Sequence, residues 1–317
     1  MMGNNFILSL LNNKQKPHIL VIGDIILDEY VEGSVNRISP EGPFPVMNYK
    51  SSEYQLGGAA NVAANIKGLG ANVDLIGAIG EDRGADIIRN LLGDQGISNQ
   101  FLFKSSNRPT TTKTRYGSKG HQILRLDRET TELFDITWLE WIEDNLAIIQ
   151  PDAIVISDYG KGTISSNNIP QAILRYSKLN EIGCYVDTKI IDISVFKGAT
   201  LLKPNKLELD NVTQKYNISN LEDKIIQYMS LAKCHVVMAS LGEDGLLLYD
   251  GEKYYHSKAK AQSVYDVTGA GDTVLAATVV AKQMGASWQE VADFANLAAS
   301  FAVSHYGTTI VNIKEMV

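Results

Sequence analysis

A chain of 317 residues that is 44% hydrophobic has apolar mass for one large core or two modest ones. Its 36 acidic and 29 basic side chains leave a net charge of −7, which argues against a broad nucleic-acid surface but permits a local basic pocket for an anion. No apolar run reaches bilayer length, and the opening "MMGNNFILSLLNNKQKPHIL" has no basic leader or cleavage site, so a cytoplasmic protein with Cys184 and Cys234 as buried free thiols is expected.

In chain order, "HILVIGDIILD" (18–28) starts as an Ile- and Val-rich strand and meets Gly23-Asp24. Asp24 and Asp28 place carboxylates at its end, where they can accept from sugar hydroxyls. Residues 30–56 have prolines around Phe44 and no helical period, and read as inserted antiparallel strands. "GGAANVAANIKGLGA" (57–71) reads as a helix whose amino end is opened by Gly57 and Gly58, with Asn61 able to donate and accept. A strand over 73–79, a glycine turn and a helix over 84–92 follow. Residues 108–129, Thr-rich and then alternating around Ile123, Leu124 and Leu126, form the second insertion. Neither insertion has length for its own core, so the two predict a small β-sheet standing off the main one, as lid, dimer contact or decorated edge.

Trp138 and Trp141 are expected to pack the helix around Leu139. "PDAIVISDYGKG" is a strand running into a polar loop with Lys161, and "GCYVDTK" and "GATLLKPN" are further short strands, the first ending at Lys189. "CHVVMASLGEDGLLLYDG" reads as strand, glycine loop, strand. Apolar strands alternating with helices predict an α/β fold, a mostly parallel sheet covered on both faces, with ligands at the strands' carboxyl ends.

"DVTGAGDTVLAATVV" (266–280) carries the chemistry. The first N–H groups of a helix lack internal partners, and glycines let an anion approach them. Gly269, Ala270 and Gly271 therefore read as a phosphoryl cradle, and Asp272 beside them as the base for an attacking hydroxyl. A close-packed helix start with a first-turn acid explains the same residues. Asp266 is a turn residue or helps to organise a cation. No GxxxxGK[ST], protein-kinase set or dinucleotide fingerprint is present, and the five histidines show no metal spacing.

The rest of a phosphoryl-transfer site has candidates. Ser240, Gly242 and Gly245 of "SLGEDG" are able to hold nucleotide phosphates or ribose, or simply to turn the chain. Asn205 and Glu208 fit magnesium, directly or through water, and equally fit a helix cap. Arg115, Lys161 and Lys189, with Lys113, Arg125 and Arg37, suit an anionic sugar phosphate if they converge on the cleft.

With "DVTGAGD", "GGAAN" and "KPNKLE" in place, the chain resembles the ribokinase-like, PfkB-type carbohydrate kinases over nearly its whole length, 18–309. "ILVIGDIILDEYVEGSVNRISPEGPFPV", "SDYGKG" and "GATLLKPNKLEL" are similar to the branch acting on D-glycero-β-D-manno-heptose 7-phosphate, in its free-standing kinase form. The resemblance implies a three-layer α/β/α kinase domain over 1–317 whose insertions form a β-lid, often dimeric. It implies ATP and Mg²⁺ as cofactors, with potassium as a further monovalent candidate. The anomeric C1 hydroxyl would be phosphorylated, feeding nucleotide-activated heptose for lipopolysaccharide.

By the same resemblance Asp272 is the base and Gly269, Ala270 and Gly271 the anion hole. Asp28, Gly57, Gly58 and Asn61 hold the sugar, with Arg115 and Lys161 beside it. Asn205 and Glu208 organise magnesium and phosphate. Ser240, Gly242, Gly245, Asn296 and Lys189 attend the nucleotide, and Asp266 and Thr268, with 307–309, the monovalent cation. One departure is Asp187-Thr188-Lys189, where the branch usually has Asp-Pro-Lys. Another PfkB-type kinase, a non-catalytic sugar or nucleotide sensor and, more remotely, a dehydrogenase are the competing readings.

Overall fold

Strand β1 (His18–Gly23) sends alternate side chains to opposite faces, and both faces are dry: Ile19 and Val21 enter one core, Leu20 and Ile22 the other. Strand β8 (Ala153–Ser157) repeats the division, with Ala153 and Val155 on the first side and Ile154 and Ile156 on the second. In the computed structural model, which describes residues 15–165, 168–259 and 264–316, these strands lie at the centre of a nine-stranded sheet.

From one edge that sheet runs Tyr254–Ser257 (β13), Leu246–Tyr249 (β12), Val236–Ser240 (β11), Leu201–Leu202 (β10), Gly183–Asp187 (β9), β8, β1, Asn72–Ile79 (β4) and Leu102–Lys104 (β5). Pairings from β11 through β5 are parallel, and β12 and β13 close one edge antiparallel. Helices α1 (Ala59–Gly68), α2 (Arg83–Asp94), α7 (Ala270–Gln283) and α8 (Trp288–Val303) cover the first face. Helices α3 (Ile136–Ile149), α4 (Ile169–Leu179), α5 (Lys206–Thr213) and α6 (Leu221–Ala232) cover the second. Trp138 is fully buried on α3, as expected, and donates its indole N–H to the carbonyl of Thr163 at 2.8 Å.

Helix α7 is buried on every side from Asp272 to Ala281, because α1, α8 and the sheet all pack on it. Cys184 and Cys234 are free and buried, and burial pushes both thiols up to about 12. Among the described residues no helix is long and apolar enough to cross a membrane.

The insertions build a separate four-stranded sheet from β2 (Ile25–Ile38), β3 (Pro45–Gly58), β6 (Thr112–Ser118) and β7 (His121–Arg128), in the order β3-β2-β6-β7. Two details differ from the sequence reading. The first hairpin is longer than 30–56, because β2 starts one residue after β1 and pairing continues to Ile25 opposite Gly58; Gly57 and Gly58 thus end a strand, and α1 starts at Ala59. The sheet is also mixed, since β2 and β6 pair in parallel. The β6–β7 turn places Lys119 and Gly120 at φ 52° and 79°, the doubly positive geometry that matches the twist of a two-residue hairpin.

Strand ends at Gly23, Ser157, Asp187, Leu202 and Ser240 lie along one edge of the sheet, as do the catalytic candidates. Gly58 holds that edge to the small sheet. Its φ of 56° and ψ of −136° belong to a region open essentially to glycine, and an added Cβ would strike the carbonyl of Asp24 and the Ile26 side chain. We expect Gly58→Ala to lower the unfolding free energy by about 2–4 kcal/mol in urea titration. Gly70→Ala, also at positive φ but with nothing near the added Cβ, should cost about 1 kcal/mol.

Candidate active site

The head of α7 is built by Gly269, which caps it at φ 78°. Among the described residues the amides of Gly269, Gly271 and Asp272 have no hydrogen-bond partner, while that of Ala270 donates to the carbonyl of Val267 at 3.2 Å. This corrects the expected cradle: Ala270 is spent inside the protein, and the amide of Asp272 itself is available. Gly269 is small for a packing reason, since an added Cβ would come within 2.8 Å of Asn61 Nδ2. At Gly271 the nearest atoms would be Lys203 Nζ at 3.5 Å and Asp187 Oδ2 at 3.9 Å, ordinary contacts, so its bareness serves access.

Asp272 is 2% exposed. Its Oδ2 accepts from Asn61 Nδ2 at 2.9 Å and its Oδ1 from the Tyr159 hydroxyl at 2.7 Å. Burial raises its pKa to about 6, with Asp187 pushing the same way, while the Tyr159 and Asn61 hydrogen bonds and Lys203 oppose the rise. Two donors leave lone pairs on both oxygens, enough for a substrate hydroxyl.

Asn61, expected to hold sugar, is fully buried; its carbonyl oxygen accepts from Asn65 at 3.0 Å and its amide serves Asp272. Its contacts are thus with Asn65 and the Asp272 carboxylate. Asp24 is likewise not a sugar acceptor here: its carboxylate takes the amides of Tyr159 (2.8 Å), Lys161 (3.0 Å) and Thr163 (3.3 Å), and so shapes the loop after β8. Asp28 and Arg115 form an ion pair across the adjacent strands β2 and β6, and Gly57 lacks a side chain where Asp28 Oδ2 lies. Lys161 Nζ pairs with Glu129 at 2.6 Å.

Asn205 and Glu208 form a full capping box at the start of α5, each side chain taking the other's amide at 2.8 Å. The second oxygen of Glu208 pairs with Lys189, so the two expected magnesium ligands are internally engaged. Among the described residues no three His, Cys, Asp or Glu side chains cluster around a metal position. A better hard-oxygen donor is Asp187, whose buried Oδ1 has no partner while Oδ2 meets Lys203 Nζ at 2.8 Å. Thr188, in the usual proline position, donates its hydroxyl to Asp158 at 2.6 Å and helps to anchor this turn.

A cavity of about 780 Å³ opens beside the α7 head, within the range of small-molecule sites. Asn205, Ser240, Gly242, Gly245, Gly271 and Asn296 line it, bringing most of the expected nucleotide residues beside part of the expected anion hole, while Lys189 and Glu208 are not among its lining residues. The walls are largely apolar, with Leu207, Val264, Val274 and Val303, which suits a nucleobase. Asn296 contributes by fixing one wall, donating to Ser257 Oγ at 3.1 Å and the Lys258 carbonyl at 2.5 Å. Asp266 spends its oxygens on the Thr268 amide and hydroxyl (2.9 and 2.7 Å) and on the Gly307 amide (3.1 Å), so 266, 268 and 307 do meet, as one knot.

Sequence reasoning missed Tyr159 and Lys203. Both lie in stretches it quoted, and Lys203 had a signal: a lysine directly after "LL" at a buried strand end must have an acid to pair with.

Known proteins match this architecture along its length. The chain is 36% identical over 313 residues to the bifunctional protein HldE of Marinomonas sp., covering 97% of this chain and 64% of the relative. It is 38% identical over 305 residues to the bifunctional protein HldE of Bradyrhizobium diazoefficiens, with 94% and 62% covered. It thus spans slightly under two thirds of these curated relatives. Arabidopsis thaliana ribokinase complexed with ribose and ATP superposes with a TM-score of 0.75 at 23% identity, over 95% of this chain and 98% of the other. Escherichia coli phosphofructokinase-2 in complex with substrates and products gives 0.77 at 20%, over 95% and 97%. The fold is therefore ribokinase-like. With residues 16–315 matching the profile described as pfkB family carbohydrate kinase, the chain belongs to that family.

Proposed function

We propose that this protein transfers the γ-phosphoryl group of ATP to the anomeric C1 hydroxyl of D-glycero-β-D-manno-heptose 7-phosphate. The observation that carries the reading is the adjacency of a buried carboxylate, Asp272, and the unspent amides of Gly271 and its own residue, beside an apolar cavity of nucleotide size. The stretches that resemble the heptose 7-phosphate branch and the HldE relatives support the choice of sugar. So do half-buried Lys113, Arg115 and Lys161 and the more exposed Lys189, around Tyr159 and Asp28, which suit a substrate with its own phosphate.

In the reaction the C1 oxygen attacks the γ-phosphorus, the bond from that phosphorus to the β-phosphate oxygen breaks, and ADP leaves. The hydroxyl proton passes to Asp272. The free amides at the α7 head meet the charge that grows on the transferring group. Asp187, through its unpartnered oxygen, would hold magnesium with water between, and Glu208 would join if Lys189 turned to phosphate. The ion when bound draws negative charge from the phosphates. Asp266 and Thr268 stay candidates for potassium. A cytoplasmic enzyme supplying the 1,7-bisphosphate for activated heptose follows from this reading.

The lid supports a dimer in the same reading: Leu124 and Leu126, one face of β7, are 57% and 51% exposed. Sedimentation should give a dimer for the wild type and a monomer for Leu124→Glu combined with Leu126→Glu.

A sugar panel tests the function. Heptose 7-phosphate should exceed fructose 6-phosphate and ribose in kcat/KM, with phosphorus NMR placing the new phosphate on C1; preference for a free pentose would overturn the substrate. Asp272→Asn should lower kcat by about 10²–10⁴-fold while calorimetry shows ATP binding unchanged. Since Asp272 must be ionised to accept the proton and its pKa lies at about 6, kcat/KM should fall about tenfold per pH unit below that value and level off above it.

A further inference from the structure

We infer that Tyr159 is a positioning residue for Asp272, its hydroxyl holding the carboxylate in orientation and in its ionised form. This rests on Asp272 being the base. The contact is direct, 2.7 Å from Tyr159 Oη to Asp272 Oδ1, while Asn61 holds the opposite oxygen at 2.9 Å. Donors on both oxygens fix the rotation of the carboxyl plane, which one donor would leave free.

Tyr159 is itself held. Asp24 Oδ2 accepts its backbone amide at 2.8 Å and that of Lys161 at 3.0 Å. Lys113 from β6 and Lys189 from the turn after β9 place their ammonium groups 5.5 and 5.6 Å from the centre of its ring. Burial, then Asp272 and Asp187, keep the phenol pKa well above its ordinary value, so the hydroxyl remains a donor wherever the enzyme works.

The other charges facing Asp272 are Asp187, Lys203 and Lys189, with Asp28 facing Tyr159 from β2. Asp187 and Lys203 are paired with each other at 2.8 Å and largely offset one another. Among the described residues that leaves Tyr159 and Asn61 as the hydrogen-bond donors that oppose burial at the base. Asn61 is locked to Asn65, so Tyr159 is the donor whose removal changes least else.

The test titrates the free protein, without sugar, by ¹³C NMR of labelled aspartate carboxyls, with the Asp272 signal assigned by its loss in Asp272→Asn. Tyr159→Phe should raise the midpoint by about one pH unit, tenfold in proton affinity. The acid limb of kcat/KM with heptose 7-phosphate should move up with it. Site-specific 3-fluorotyrosine at 159, a stronger donor of nearly the same shape, should move both downward, and it keeps the test available if Tyr159→Phe does not fold. An unmoved midpoint overturns the inference. So does a fall in KM without a midpoint change, the sign of a hydroxyl that only fills the sugar's place. A moved midpoint with no turnover of heptose 7-phosphate keeps the inference and removes that substrate. Full turnover by Asp272→Asn removes the base and the inference together.

Discussion

A carboxylate taken out of water at the head of a buried helix is the constraint around which this protein is arranged. Desolvation pushes the Asp272 proton on, toward a pKa of about 6, and a protonated acid cannot serve as base. The first-turn position at the positive end of the α7 dipole works the other way, as do the Tyr159 and Asn61 donors. The balance leaves a carboxylate that is ionised near neutrality, the range in which a general base would be most efficient. Each counterweight comes from a different part of the chain: Asn61 from α1, Tyr159 from the loop after β8, Lys203 from the end of β10. Tyr159 and Lys203 follow the carboxyl ends of parallel strands gathered on one edge, and Asn61 reaches the same helix start from the helix that follows β3 of the small sheet.

The two sheets are tied at the same place. Asp24 is the single residue between β1 and β2, so the strand that leaves the large sheet for the small one starts at the carboxylate that shapes the Tyr159 loop. On the other side Gln55 of β3 accepts from the Thr308 amide at 2.7 Å, and the rings of Tyr30 and Tyr306 lie 5.5 Å apart. Asp266 joins Gly307 to Thr268 just before the α7 head. The small sheet and the α7 head are therefore joined by two short covalent and hydrogen-bonded paths.

What was legible in the sequence follows from the range of the interaction. The central strands were readable because both faces are buried and the runs are continuously apolar, as in "HILVIG" and "AIVIS". The α7 head was readable because glycines and an acid at a helix start are a local rule, and the Asn205–Glu208 box for the same reason. The end of the first insertion was misread because Gly57 and Gly58 look like helix openers, while their pairing with β2 is decided more than thirty positions upstream, Ile25 opposite Gly58. The supports of the base were beyond reach: Asn61 and Tyr159 lie 211 and 113 positions from Asp272. The polarity of Asn61 beside a glycine pair is legible locally, while its bond to Asp272 is set by the fold.

The ion pairs separate basic residues that can meet a phosphate from those that cannot. Each of Arg115, Lys161, Lys189 and Lys203 meets a carboxylate, so an incoming anion competes with that carboxylate or uses the donors it leaves over. Lys203 and Asp187 are 3% and 12% exposed, and parting a pair so buried strands a charge without water, which costs several kcal/mol. Lys189 is 41% exposed and its pairing with Glu208 is screened by solvent, so that pair is worth far less. That difference makes Lys203 part of the framework and Lys189 the more weakly held charge. Glu208 gives one oxygen to the helix cap and the other to Lys189, so only the second depends on where Lys189 points.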